Sequence, residues 1–153
     1  MNFVEAMRHH VERSLCRDLG LSRVTEDVVG AYTVSVEGRD VVITPDPWCE
    51  HVRVSAVAAY GVKRTAALLR ELNDVNCRRT YARLIWERDA VVATADVMVA
   101  SIETGELGWV VAVVADCANR MGGPLAAVHG GQVPLPATSA QAGPGVVGRG
   151  EMS

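Results

Sequence analysis

The apolar side chains near the amino terminus recur at the spacing of a helix. They stand every three or four residues, at Val4, Met7, Val11, Leu15 and Leu19. The charged residues between them fall on other faces, which is typical of an amphipathic helix. Gly20 follows the last apolar position, as glycine commonly does at a helix end. The pattern predicts a first helix over residues 3–19.

From residue 28 the apolar positions alternate with polar ones. The side chains that share one face are Val28, Tyr32, Val34 and Val36. A polar turn over residues 37–40 leads into a second apolar run at residues 41–43, and together they predict a β-hairpin. Pro45 and Pro47 interrupt any ladder after it. Residues 49–59 alternate again and predict a third strand.

The second half of the chain repeats the change from helical to strand spacing. An apolar stripe with charged residues between its members predicts a second helix over residues 62–76. Two alternating stretches, residues 80–87 and 90–99, are joined by the polar pair Arg88-Asp89 and predict a second hairpin.

A third helix is predicted from Glu106 to Met121, where apolar positions again recur at helical spacing. Ser101 or Thr104 can cap its start, and Gly122-Gly123 is expected to stop it. Trp109 and Val113 lie beside the main stripe, so the helix is apolar over more of its circumference than one sheet covers. We therefore expect Trp109 and Val113 at a dimer interface.

The elements predict an α+β fold, an antiparallel sheet of about five strands with three helices in the order α-βββ-α-ββ-α. Residues 1–122 form the expected domain. Residues 123–153 are rich in Gly, Pro, Ala and Ser without periodicity, and they predict a disordered tail.

Composition narrows the class of protein. The chain has 153 residues, of which 49% are hydrophobic and 22% charged, so one globular domain is expected. A net charge of −3 without a basic patch argues against nucleic-acid binding. The charged amino terminus is unlike a signal peptide, and the apolar run at residues 107–115 is too short to span a bilayer. A cytoplasmic protein without membrane contact is predicted. One lysine against fourteen arginines is typical of actinobacterial-type composition.

Catalytic and metal-binding chemistry finds little support in the sequence. The sequence contains no CxxC pair, and its cysteines are predicted to be buried and reduced. They are Cys16, Cys49, Cys77 and Cys117. His9 and His10 point about a hundred degrees apart on a helix and cannot share a metal. The serines lack a hydrolase motif, and the glycine-rich stretches follow the last helix instead of preceding one. We expect no enzyme activity, no metal and no cofactor.

Four polar and aromatic residues near the second hairpin are candidates for a peptide groove. Asn73 and Asn76 suit the exit of a helix, because asparagine satisfies free backbone groups through its amide. The same amide could instead contact the backbone of a bound peptide. Tyr81 and Trp86 alternate to opposite faces of one strand, so one of them is expected in the core and the other could line the groove.

The stretch LLRELNDVN, with Leu69, Leu72, Asn73 and Asn76, precedes the VVATADV strand and the third helix. In this order of elements, over about residues 3–122, the sequence resembles the YbjN family, which shares its fold with the type III secretion chaperones. The resemblance implies a small, commonly dimeric module that binds peptides or unfolded segments of a partner protein. It supplies no catalytic residues. Two alternatives remain, namely a ligand-binding domain or small enzyme with a pocket between sheet and helices, and a structural subunit of a larger complex.

Overall fold

One antiparallel sheet organises the chain. The structure is a computed structural model that describes residues 2–78 and 81–136. Its elements are α1 (Phe3–Leu19), β1 (Tyr32–Val36), β2 (Arg39–Asp46), β3 (His51–Tyr60), α2 (Ala66–Arg78), β4 (Arg83–Glu87), β5 (Ala90–Met98), a 3-10 helix (Val99–Thr104) and α3 (Glu106–His129). The strands lie in the order β1-β2-β3-β5-β4. The predicted fold class is confirmed.

The helices cover one face of the sheet and leave the other uncovered. α3 packs across β3 and β5, α1 packs against α3, and α2 lies beside β4. Along β3 the side chains of Val52 and Val54 are fully buried beneath the helices, whereas Arg53 and Val57 point to the other side and are exposed. We call this second side the open face. It carries Val42, Ser55, Val57, Ile85 and Val92.

The first helix begins and ends as its sequence predicts. Asn2 and Glu5 form a capping box, in which each side chain accepts a hydrogen bond from the backbone N–H of the other residue. Gly20 ends the helix in the left-handed conformation, with a φ of 66°. Hydrogen bonds thereby satisfy backbone groups at both ends of the helix.

The start of α3 is capped from another helix. Gly105 precedes it without a side-chain cap, and the carboxylate of Asp18 on α1 accepts a hydrogen bond from the backbone N–H of Gly108 at 3.1 Å. The prediction that Ser101 or Thr104 caps α3 was wrong, because both residues belong to the 3-10 helix, where the Thr104 hydroxyl donates to the Ser101 carbonyl. A carboxylate at this position also interacts favourably with the helix dipole.

The end of α3 also differs from the prediction. The helix passes through Gly122, Gly123 and Pro124 and ends at His129, where Gly130 takes a φ of 77°. Gly122 is inside the helix because α3 crosses β3 closely there, and a Cβ on Gly122 would lie 2.2 Å from the carbonyl oxygen of Ala58. The domain boundary predicted at residue 122 therefore falls inside a helix.

The chain beyond α3 returns to the sheet. His129 Nε2 lies 2.5 Å from Glu71 Oε2 on α2, and Gln132 exchanges two backbone hydrogen bonds with Tyr60 at the end of β3. Residues 123–136 thus belong to the folded part of the chain. The remainder of the predicted disordered tail, residues 137–153, lies outside the described residues.

Smaller differences concern strand ends. Val28 is fully exposed in a turn before β1, and β4 begins at Arg83 instead of residue 80. Within the two described ranges, no helix combines the length and apolar character needed to cross a membrane.

Candidate functional site

A cavity of about 550 Å³ lies at one end of the open face. Val42, Val57 and Val92 from three adjacent strands form its apolar floor. Tyr60 and Leu135 border it, and Leu135 is 87% exposed although it is a large apolar residue. Asp40 and Glu87 add carboxylates to the lining. The cavity is an open apolar depression on a sheet, with charged groups beside it.

Strand register explains why the open face is apolar at one end and charged at the other. Val57, Val92 and Ile85 stand opposite one another on β3, β5 and β4 and form an apolar row. Farther along the same strands, Arg53 pairs with Asp96 through two hydrogen bonds, of 2.9 and 3.3 Å. These hydrogen bonds hold the pKa of Asp96 below its usual value. Asp96 is therefore ionised at neutral pH.

The helices pack against the side of the sheet opposite the open face. Val110, Val111 and Val114 of α3 are fully buried against the sheet. Arg39 points to this covered side, where its Nε donates to Asn119 Oδ1 on α3 at 3.0 Å. The floor of the cavity lies on the opposite, open face, so the cavity is not the pocket between sheet and helices that the ligand-binding alternative requires, although Arg39 also borders it at the start of β2.

Three of the predicted site residues come together on the helix side of the molecule. The ring of Tyr81 meets the ring of Trp109 edge to face, with centroids 5.0 Å apart, and Val113 follows one turn later on α3. Trp109 is 54% exposed. Burial and the nearby Glu106 carboxylate raise the pKa of the Tyr81 hydroxyl, which stays protonated. We call Tyr81, Trp109 and Val113 the aromatic patch.

The other predicted groove residues are separated from the aromatic patch. Trp86 is partly buried and its Nε1 donates to the carbonyl of Val62 at 2.7 Å. Asn76 makes two hydrogen bonds to Leu84, which are described below, and Asn73 is exposed on α2. Tyr81 precedes β4 and contacts α3, so Tyr81 and Trp86 do not alternate along one strand. The four candidates for a peptide groove therefore do not lie together in the structure.

The turn between β2 and β3 brings together residues that sequence spacing did not connect. Candidate ligand atoms of Asp46, Cys49 and His51 all lie within 4.8 Å of one another. Asp46 Oδ1 accepts hydrogen bonds from the backbone N–H groups of Trp48 and Cys49, at 3.0 and 3.3 Å. The negative charge of Asp46 raises the pKa of the Cys49 thiol. The signal in the sequence is the spacing D-x-x-C-x-H, which a search for paired cysteines passes over.

The exposure of the cysteines corrects the expectation that all four are buried. Cys117 is buried and Cys16 partly buried, whereas Cys49 and Cys77 are exposed. Cys49 lies in the turn between β2 and β3, and Cys77 lies in the last turn of α2.

Comparison with known proteins identifies the family. The model of the family TY-Chap1, described as "T3SS (YopN, CesT) and YbjN peptide-binding chaperone 1", matches residues 5–137. The chain belongs to this family. The resemblance drawn from the sequence is thereby confirmed, and TY-Chap1 membership supports the predicted role of a peptide-binding, chaperone-like module. A search of the curated proteins found no match.

Three solved structures share the TY-Chap1 fold of this chain. One is the ExsC-ExsE complex, with 16% identity and a TM-score of 0.62 over 82% of this chain and 97% of the other. The second is the type III secretion chaperone SycH of Yersinia pestis with a fragment of YscM2, at 14% identity, TM-score 0.56, and 72% and 96% coverage. The third is the HopA1-SchA chaperone-effector complex, at 8% identity, TM-score 0.59, and 80% and 98% coverage. At these identities the likeness establishes the fold.

Proposed function

We propose that the chain is a non-enzymatic, chaperone-like module that binds an extended apolar segment of a partner protein in the cavity of the open face. The observation that carries this proposal is the apolar floor of Val42, Val57 and Val92 on a sheet face that none of the helices within residues 2–78 and 81–136 covers. Membership of a peptide-binding family and a fold shared with chaperone complexes support it.

The shape of the cavity favours a peptide over a small enclosed ligand. It is open on the solvent side, and it lies along three neighbouring strands with Tyr60 and Leu135 beside the floor. An extended peptide directs alternate side chains to one side, so every second residue can enter such a depression. Burying Leu135 and the valine floor against a partner would remove apolar surface from water, which contributes roughly 25 cal/mol for each Å².

The chemistry around the cavity supports binding more than catalysis. Arg39 is the cationic residue among those that line the cavity. It is buried and donates hydrogen bonds to Asn119 Oδ1 and to the carbonyl of Pro134. The carboxylates of Asp40 and Glu87 lie on separate strands, β2 and β4. The convergent titratable groups expected of the small-enzyme alternative are not found among these lining residues.

The first test selects peptides on the immobilised full-length chain from a random displayed library and measures their affinity by fluorescence anisotropy. We expect the selected peptides to carry alternating apolar residues. Val92→Glu should weaken their binding at least about 10-fold, because a charge in the cavity floor must be desolvated when an apolar segment covers it. Thr44→Glu is the matched control, since Thr44 is exposed on β2 and does not line the cavity.

Two results would overturn the assignment of the cavity. One is equal binding by the wild type and the Val92→Glu variant, provided that their melting temperatures agree. The other is a library that yields no specific peptide while a small metabolite raises the melting temperature, which would favour the ligand-binding alternative.

We also propose that the module acts as a homodimer and in the cytoplasm. The aromatic patch supports self-association, because Trp109 combines a large ring with 54% exposure beside Tyr81 and Val113. Tryptophan and tyrosine are enriched at protein interfaces. The exposed thiols of Cys49 and Cys77 suit a reducing compartment.

Trp109→Ala should shift the monomer-dimer equilibrium toward the monomer. Truncating a central interface tryptophan commonly costs about 2 kcal/mol or more, which is roughly a 30-fold increase in the dissociation constant. Analytical ultracentrifugation over a concentration series measures it. Trp48→Ala is the control, because Trp48 is 94% exposed in the β2–β3 turn. An unchanged equilibrium for Trp109→Ala would remove the aromatic patch as the interface.

A further inference from the structure

The β2–β3 turn places three different metal-binding groups beside one another. Asp46 ends β2, Cys49 lies in the turn, and His51 begins β3. Asp46 and His51 are also direct partners in the β2–β3 ladder, so the turn folds Cys49 back toward both of them. Their ligand atoms lie within 4.8 Å of one another. We propose that Asp46, Cys49 and His51 bind a Zn²⁺ ion.

The donor set selects the ion. A thiolate, an imidazole and a carboxylate combine soft and borderline ligands, which suit Zn²⁺ and do not suit Mg²⁺ or Ca²⁺. Zinc bonds of about 2.0–2.3 Å place tetrahedral ligands roughly 3.3–3.8 Å apart, so ligand atoms that lie up to 4.8 Å apart must approach by roughly 1–1.5 Å to close the site. The fourth position is left for water or for a donor group of the bound partner.

The surroundings hold two of the ligands in place. Asp46 Oδ1 accepts two backbone hydrogen bonds within the turn, which fix the orientation of its carboxylate. His51 is close to two carboxylates, with a ring nitrogen within 4.8 Å of Asp46 and its Nε2 3.7 Å from Asp96 Oδ1. Asp96 is itself held by Arg53. A carboxylate beside a ligating histidine orients the ring and strengthens metal binding.

The backbone of the turn is consistent with a binding role. Glu50, between Cys49 and His51, has a φ of 54°, which is uncommon for a residue other than glycine. The same conformation occurs in the other hairpin turns, at Glu37, Arg88 and Asp89. At Glu50 it therefore reflects the tight turn that brings Cys49 back toward His51. Cys49 is exposed, so an ion can reach it from solvent.

Calorimetric titration of the reduced full-length chain with Zn²⁺ tests the proposal, together with absorption spectra of the chain titrated with Co²⁺. We expect one ion for each chain and a thiolate-to-cobalt charge-transfer band. Cys49→Ser and His51→Gln should each weaken Zn²⁺ binding on the order of 100-fold or more. Mutation of a residue that only hydrogen-bonds to a metal ligand already lowers metal affinity about 10–100-fold. Cys77→Ser and His9→Gln are matched controls because both side chains are exposed elsewhere, and they should bind as the wild type does.

X-ray absorption of the zinc-loaded wild type gives an answer independent of any variant. One sulfur and two or three nitrogen or oxygen neighbours would support the site. A shell without sulfur, the absence of the charge-transfer band, or an equal loss of affinity in Cys49→Ser and Cys77→Ser would overturn it.

Discussion

Gly122→Ala is expected to lower the free energy of unfolding by about 3 kcal/mol, the upper part of the usual range for an overpacked core. The added Cβ would lie 2.2 Å from the Ala58 carbonyl oxygen and 3.1 Å from its carbon. Both are backbone atoms of β3, so the contact cannot be relieved by rotating a side chain. α3 must move away from the central strand instead, which opens the interface that contains most of the core.

Gly123→Ala is the matched control for Gly122→Ala. Gly123 lies on the exposed side of the same helix, and no atom of another element lies within 4 Å of a Cβ added there. Alanine inside a helix is favoured over glycine by roughly 0.5–1 kcal/mol, but a Cβ directly before Pro124 is disfavoured in helical conformation, so these two effects offset each other. Only Gly122→Ala is therefore expected to lower the free energy of unfolding substantially.

Urea and thermal denaturation, each followed by tryptophan fluorescence, measure the stability of both variants. At roughly 2–4 °C for each kcal/mol, Gly122→Ala should melt about 6–12 °C below the wild type. Equal midpoints for the two variants would contradict the close crossing of α3 and β3.

Asn76→Ala is expected to destabilise the fold by about 2 kcal/mol, because two hydrogen bonds to one edge residue are lost together. The Asn76 amide Nδ2 donates to the Leu84 carbonyl at 2.9 Å, and its Oδ1 accepts from the Leu84 N–H at 2.8 Å. β4 is an edge strand, so no further strand pairs with the outer side of Leu84. The Asn76 side chain makes the hydrogen bonds that a neighbouring strand would make there. This arrangement gives a structural role to one of the two asparagines in the second half of α2.

Asn73→Ala serves as the reference for Asn76→Ala. Asn73 is exposed in the same helix, so both substitutions gain the same helix propensity and only one loses the bonds to β4. Hydrogen exchange should become faster at the Leu84 amide in Asn76→Ala alone. Equal exchange at that amide in both variants would show that the two bonds do not hold the edge.

Elements defined by neighbouring residues are predictable from the sequence, whereas features defined by contacts between distant segments are not. Periodicity located α1, α2, the five strands and the start of α3, because burial of one face is a local pattern. Gly122 was taken for a helix end, since a close crossing with β3 cannot be read from neighbouring residues. The positive φ of Gly130 marks the actual end.

The candidate sites depend even more on contacts between distant segments. The cavity floor requires the register of β2, β3 and β5, which periodicity does not supply. Tyr81 was assigned to a strand by alternation, but its ring packs against Trp109 on α3. Asp46, Cys49 and His51 are close in sequence, yet only the backward fold of the turn brings their ligand atoms together.

The cap that Asp18 provides for α3 also bears on the order of events during synthesis. Asp18 and Gly108 are separated by 90 residues, so this hydrogen bond cannot form until nearly the whole domain has left the ribosome. α3 supplies much of the cover for the central strands, which stay exposed until then. Long-range closure of this kind is slow and leaves apolar surface open to aggregation. A protein that is proposed to shield the apolar segments of others therefore passes through a stage in which its own sheet is unshielded.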